Sequence, residues 1–561
     1  MMKGFSSKTL PAFIAGVGFG AAMLASAWFF SGDDITTQTI QEAEKLMAVE
    51  FSEDQREQMM SSLVSRAAGI HQLREIDLDN SVPMALYFNP VPPGKTIPNP
   101  DQIEIDWKIP SGVELPENAD DLAFYTVSDL ASLLQSGKIS SVELTRFYLD
   151  RLEKFDPELE AVISLTPEIA LKQAEKMDRE RAAGTVRGPL HGIPYGLKDL
   201  FAVEGTKTTW GATPFKDQEI DQTATVVQKL EDAGAVLVAK LTLGALAYGD
   251  IWYGGRTNSP WNTELGSSGS SAGSAAATAA GLVPFAIGTE TLGSIVSPST
   301  RNGTTGLRPT FGRVSRTGAM ALSWSMDKVG PITRSVHDAA MVFDAIRGSD
   351  GLDLAVKDFS FNYEKPGGEH PLENVRIGFL ESAFEAEYPN AEQDRQVLED
   401  LRKSGAELIP VELPEFPTAQ LFDILIGEAA AAFDELTVSG SDSLLVWQED
   451  AAWPNTFRAG RFISAVDWIN MNRHRTSLML AMDEMMEEID AFVSPSFAPG
   501  NLIITNLTGH PAVVMPNGFD EMGMPVSITF TGHLFDEARL LYIAESWQHM
   551  TDHHRTFPPG F

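Results

Sequence analysis

The stretch His191-Gly192-Ile193-Pro194-Tyr195-Gly196-Leu197-Lys198-Asp199 decides the fold. Ile193 to Lys198 reads as a short apolar strand, the first of several between about residues 188 and 345. Ala224 to Ala233 reads as a helix ending at Gly234, followed by the strand Ala235-Val236-Leu237-Val238-Ala239. Gly273 to Gly281 is alanine-rich and helical, followed by the strand Val283 to Ile287. Strands alternating with helices in this way argue for an α/β sheet with helices on its faces. Lys198 then emerges at the carboxyl end of a buried strand, the edge at which such sheets bind ligands.

Outward from this block the pattern continues. Ser128 to Phe155 predicts two helices broken at Gly137-Lys138, with Ser140 or Ser141 as the cap of the second. A strand is expected at Ala161 to Leu165, then a helix from Ile169 to Ala183 closed by Gly184. Residues 375–380, 391–403 and 407–411 form a small βαβ unit packed against the main sheet. Helices rich in Ala and Met run to about 488, and further apolar strands follow near 491–495, 512–516 and 526–530. On the amino-terminal side, Pro83, Pro90, Pro92, Pro93, Pro98, Pro100, Pro110 and Pro116 forbid a regular element, so an extended strap is expected there. Thr37 to about Ile76 has helical periodicity.

The first 32 residues are a separate object. Lys3 and Lys8 precede an uncharged apolar run from Leu10 to Phe30, with Ala25-Ser26-Ala27 near its end. This reads as an export signal or as an uncleaved membrane anchor, and it predicts an exported or membrane-anchored protein, with membrane association through residues 10–30. The expected organisation is residues 1–32 as signal or anchor, 33–122 as a helical and proline-rich extension, and 123–558 as the catalytic domain.

Of the 561 residues, 43% are apolar and 21% charged, a globular composition. The net charge of −35 repels phosphate backbones and argues against nucleic acid as the main partner. With no cysteine, disulfides, thiolate metal sites and a thiol nucleophile are excluded. His553-His554 lacks further spaced ligands for zinc, and the glycine–serine loop at 266–274 lacks the Gly-Lys-Ser/Thr ending of a phosphate loop. No cofactor or metal is therefore expected.

The chemistry lies in two serine-bearing segments, Ser267-Ser268-Gly269-Ser270-Ser271-Ala272-Gly273-Ser274 and Gly288-Thr289-Glu290-Thr291-Leu292-Gly293-Ser294-Ile295. The segment around Ser294 lacks the glycines of a Gly-x-Ser-x-Gly elbow, and His191, His510 and His533 sit in apolar or glycine-turn contexts that suit packing or capping. A serine hydroxyl needs a base to take its proton, and a lysine serves if burial keeps it neutral.

These segments, 24 residues apart from Ser270 to Ser294 and 72 from Lys198 to Ser270, resemble the catalytic site of the amidase signature family. The resemblance continues through Gly303-Thr304-Thr305-Gly306-Leu307-Arg308-Pro309-Thr310 and Gly509-His510-Pro511-Ala512-Val513-Val514-Met515-Pro516, and covers residues from about 125 to 556. It implies a large twisted mixed β-sheet flanked by helices, and hydrolysis of a small-molecule amide to an acid plus ammonia or amine. By position it implies Ser294 as nucleophile, Ser270 as a bridging serine preceded by a cis peptide, and Lys198 as base. The backbone N–H groups of Thr291, Leu292, Gly293 and Ser294 are the implied oxyanion hole. Ser268, Ala272, Leu292 and Val296 depart from the family pattern, and the missing arginine at 296 alters the acyl pocket. Two alternatives are the glutaminase (A) subunit of a tRNA-dependent amidotransferase and a non-catalytic envelope binding protein with the same fold.

Overall fold

The computed structural model describes residues 35–561. These fall into two units, 35–77 and 78–561. The apolar run expected to be a signal or anchor lies outside the described residues. Among the described residues no helix is long and apolar enough to cross a membrane.

The smaller unit is a pair of helices, Thr37–Met47 and Glu53–Arg74. The expected continuous helical stretch is interrupted because Ala48 turns left-handed at φ 50° and Ser52 restarts the chain with a capping box through Gln55. Arg56 clamps Glu44 with two hydrogen bonds of 2.9 and 2.8 Å, fastening one helix to the other.

The larger unit is built on one eleven-stranded mixed sheet. Its strands in chain order are β1 (Val162–Leu165), β2 (Pro194–Lys198), β3 (Val236–Leu241), β4 (Ala286–Glu290), β5 (Thr305–Arg308) and β6 (Lys328–Thr333). They continue as β7 (Arg376–Leu380), β8 (Glu407–Val411), β9 (Ala491–Pro495), β10 (Ala512–Phe519) and β11 (Pro525–Gly532). The spatial order is β1-β3-β2-β4-β6-β5-β10-β11-β9-β7-β8. β2 runs parallel to both β3 and β4, whereas β6 is antiparallel to β4 and β5.

Burial follows the sequence pattern. β2, β3 and β6 are buried along their whole length, as expected of strands covered on both faces. The helix Ala272–Ala279 is also wholly buried, which its small side chains allow, and it packs with Val236, Val238 and Ala286 of the sheet. Tyr195 and Phe285 stack at 5.5 Å beside β2 and β4.

Two expectations shift. The strand foreseen at 283–287 lies at Ala286–Glu290, because its extent is set by pairing with β6, in the register Lys328↔Glu290 to Ile332↔Ala286. The small βαβ unit is the edge of the main sheet itself, since β7 pairs with β9 in the register Ile377↔Ala491.

The centre of the sheet tolerates no added side chain at Gly330, where a Cβ would overlap the Leu307 carbonyl oxygen. Gly330→Ala is expected to lower unfolding free energy by about 1–3 kcal/mol, measured by denaturant titration.

Candidate active site

Because β2 and β4 are parallel neighbours, their carboxyl ends meet at one edge of the sheet. Lys198 ends β2, and Thr289 and Glu290 end β4. The loop carrying Ser270 lies across this edge, and the Gly269–Ser270 peptide is cis. Gly269 is needed there, since a Cβ would overlap the Gly249 carbonyl oxygen. Asp250 accepts from the Ser268 N–H at 2.9 Å, and the Ser268 and Ser297 hydroxyls meet at 2.7 Å.

The Lys198 side chain is fully buried. It lies 2.8 Å from Ser270 Oγ, 3.1 Å from Ser271 Oγ and 2.9 Å from Thr289 Oγ1. The Thr289 carbonyl lies 3.5 Å away, so every partner is a neutral hydroxyl or carbonyl. The adjacent carboxylate, Asp199, is engaged elsewhere: Lys240 lies 2.7 Å from Oδ1, and Thr209 donates its N–H and hydroxyl to Oδ2 at 2.8 and 2.6 Å. Burial therefore holds the Lys198 pKa well below its ordinary 10.5, against the weaker pull of Asp327 and Glu290.

Ser294 sits in the turn between β4 and the helix Val296–Asn302. Gly293 adopts φ +80°, a conformation that suits glycine. Among the described residues, the N–H groups of Thr291, Leu292, Gly293 and Ser294 donate to no protein acceptor. The next two, of Ile295 and Val296, donate to Glu290 Oε2 at 2.8 and 3.0 Å. Glu290 Oε1 accepts from Arg308 at 2.7 Å and Asn506 at 2.9 Å. Burial alone would raise the Glu290 pKa, but Arg308, the Val296 N–H and Asn506 outweigh it and hold it at about 2. The turn is fixed from its other side by Thr291, whose hydroxyl donates to Asp327 Oδ1 at 2.5 Å.

Lys198 and Ser270 are thus in direct hydrogen-bond contact. Ser294 joins them through its backbone, its carbonyl accepting from the Ser271 N–H at 3.2 Å. Its hydroxyl makes no hydrogen bond to Ser270 among the described residues. The histidines stand apart from these groups: His191 meets the Met177 carbonyl at 3.0 Å, His510 the Thr508 hydroxyl at 2.8 Å and His533 the Ile489 carbonyl at 2.7 Å. Among the described residues no cluster of His, Asp or Glu could hold a metal ion.

Sequence reasoning passed over Ser271, Thr289, Glu290, Arg308 and Asp327. Glu290 carried a usable signal, a lone carboxylate between a strand and a helix amino terminus, where it suits backbone N–H groups. The partners Arg308 and Asp327 are close only in the fold.

Comparison with known proteins agrees with this geometry. The amidase family profile matches residues 143–541. The glutamyl-tRNA(Gln) amidotransferase A-subunit of Halorhodospira halophila is 33% identical over 488 residues, covering 78% of this chain and 99% of its own. Its counterpart in Chloroflexus aggregans is 32% identical, with the same coverage. Among solved structures, the native peptide amidase of Stenotrophomonas maltophilia aligns at a TM-score of 0.69 with 31% identity, covering 79% of this chain and 99% of that one. The chain belongs to the amidase family, and it is an enzyme acting on carbon–nitrogen amide bonds.

These relatives correct the expected localisation. The curated relatives that this chain matches over 78% of its length are amidotransferase A-subunits, and the expectation of export or membrane anchoring does not stand beside them.

The Glu290 arrangement is testable by pH. A carboxylate held below its ordinary 4.5 stabilises the fold fully above that value and loses this contribution as pH falls toward about 2. The stability difference between wild type and Glu290→Gln is expected to be largest above pH 4.5 and to narrow by about 3 kcal/mol on acidification, measured by denaturant titration across pH.

Proposed function

We propose that Ser294 is the nucleophile, Ser270 the relay and Lys198 the base of an amidase acting on a primary or simple secondary amide. The observation that carries this reading is the 2.8 Å contact between Ser270 and a buried lysine that no carboxylate pairs. A neutral Lys198 accepts the Ser270 proton as Ser270 takes the proton of Ser294, whose oxygen attacks the amide carbon. The Ser294 hydroxyl closes onto Ser270 as substrate binds, a tightening common at catalytic hydrogen bonds.

The developing oxyanion takes the unengaged N–H groups of the 291–294 turn, a donor set of the kind worth roughly 3–4 kcal/mol per member. Collapse of the tetrahedral adduct expels the amine, which receives its proton back through Ser270. Water then attacks the acyl-enzyme by the same relay and releases the acid. Leu292 and Val296 leave this intact, because the turn contributes backbone N–H groups rather than side chains.

Residues 123–558 are read as the catalytic domain and 33–122 as an amino-terminal extension. The family match over 143–541 supports the first, and the separate helical unit 35–77 supports the amino-terminal part of the second, whose remainder, from residue 78, belongs to the larger unit. A second reading, the glutaminase subunit of a tRNA-dependent amidotransferase, is favoured by the amidotransferase relatives. It requires partner subunits and a glutamine preference. Ammonia release by the isolated chain from simple or peptide amides supports the first reading; release only from glutamine with partners present supports the second.

Fluorophosphonate should label Ser294 in the wild type. Ser294→Ala should abolish labelling, and Lys198→Ala should lower both labelling and ammonia release roughly a thousandfold or more. Well-folded wild type that takes no label overturns the assignment.

The pH profile of kcat/KM provides a separate check. Lys198 must be unprotonated, so activity is expected to fall as pH drops through its folded pKa. Burial sets that pKa well below 10.5, and Lys198→Ala should remove this acid limb.

A further inference from the structure

A cavity of about 420 Å³ opens beside the Ser294 turn. Its lining includes Thr289, Thr291, Leu200 and Trp324, with Arg316 and Lys328 as its basic side chains. The two differ. Arg316 is committed: Asp353 takes its Nε and Nη2 at 2.8 and 2.9 Å, and the Trp324 carbonyl takes Nη1 at 2.6 Å. Lys328 is 3% exposed, and its Nζ donates only to the Met326 carbonyl.

Both nearby carboxylates are filled by other donors. Glu290, opposite Lys328 in the strand register, is taken by Arg308, Asn506 and two backbone N–H groups. Asp327 accepts from Thr291 through Oδ1, and from the Leu322 and Ser323 N–H groups through Oδ2, each at 2.9 Å. Lys328 is therefore a buried amine in a cavity wall, with N–H donors unfilled by any described residue, and it takes up its charge when an anion enters the cavity beside it. Such a group is costly to leave so, and an anion in the cavity offsets that cost.

We propose that Lys328 is a specificity-determining residue that selects amides bearing a carboxylate remote from the scissile bond. The ammonium donates its unfilled N–H groups to that carboxylate, which draws the amide end toward the 291–294 turn. A carboxylate fits better than a neutral carbonyl because it alone supplies the missing counter-charge. The nitrogen donor comes from β6, not from the turn after Ser294, where position 296 is a valine. The proposal rests on reading the Ser294 turn as the hydrolytic centre, and its test has an arm independent of hydrolysis.

Succinamate and its neutral analogue butyramide are titrated calorimetrically into the Ser294→Ala protein, with and without Lys328→Met or Lys328→Arg. In parallel, the kcat/KM ratio for succinamate over butyramide is measured with Ser294 intact. Succinamate is expected to bind more tightly than butyramide. Lys328→Met should cut that preference, in both binding and ratio, by about ten- to a hundredfold, and Lys328→Arg should keep most of it. Equal binding of the two ligands in the presence of Lys328, or a preference that survives Lys328→Met, overturns the proposal. If Lys328→Met does not fold, Lys328→Gln, which keeps a donor and loses the charge, makes the same comparison. Succinamate binding that depends on Lys328 in a chain that releases no ammonia would uphold the proposed site and remove the hydrolytic reading instead.

Discussion

The parallel pairing of β2 with β4 is the constraint on which the site depends. Gly196 lies opposite Ala286 and Leu197 opposite Ile287, so the two strands leave the sheet side by side and in the same direction. An antiparallel pair would put Lys198 and the Ser294 turn at opposite edges. The close register also needs Gly196, where any Cβ would collide with the Leu241 side chain. From this one pairing follow the contact of Lys198 with Thr289 and the position of the Ser270 loop, which hydrogen-bonds to both strands' ends through Ser271.

The second organising feature is how the buried charges divide. Asp199 goes to Lys240, Glu290 to Arg308, and Asp327 to hydroxyl and backbone donors. Each pairing removes a carboxylate that could have held a neighbouring lysine in its charged form. Lys198 and Lys328 are left among neutral partners, and both are pushed well down in pKa, chiefly by burial. A buried ion pair contributes little net stability. Its consequence here is electrostatic: Asp199, adjacent in sequence to Lys198, is withheld from it by Lys240.

The chain is similar over most of its length both to amidotransferase subunits and to a peptide amidase, so the family alone does not fix the substrate. The family match spans residues 143–541, a stretch that contains the β2 lysine, the serine loop and the strand–turn–helix around Ser294. The cavity beside the Ser294 turn is walled by Met84 and Tyr87 of the proline-rich strap together with residues of and beside β6. The strap belongs to the larger unit, and Asn80 ties it down by hydrogen bonds to the Ala321 N–H and to the Ala321 and Ala432 carbonyl oxygens.

The sequence by itself determined the α/β class, most of the strands near the site and the three residues proposed for catalysis. Those signals are local: an apolar run ending in lysine, glycine-flanked serines, and capping residues such as Ser140, which forms a capping box with Glu143. Its expectation of export rested on the apolar run at the amino terminus alone and is corrected by the amidotransferase relatives. Only the tertiary structure decided that β7 and β8 extend the main sheet, that Glu290 meets Arg308 and Asn506, and that Lys328 faces a cavity with its donors unfilled. Each of these joins residues far apart in the chain, as with Glu290 and Asn506, 216 positions apart. Strand order and charge pairing between distant segments are set by packing of the whole sheet, and no local pattern of residues encodes them.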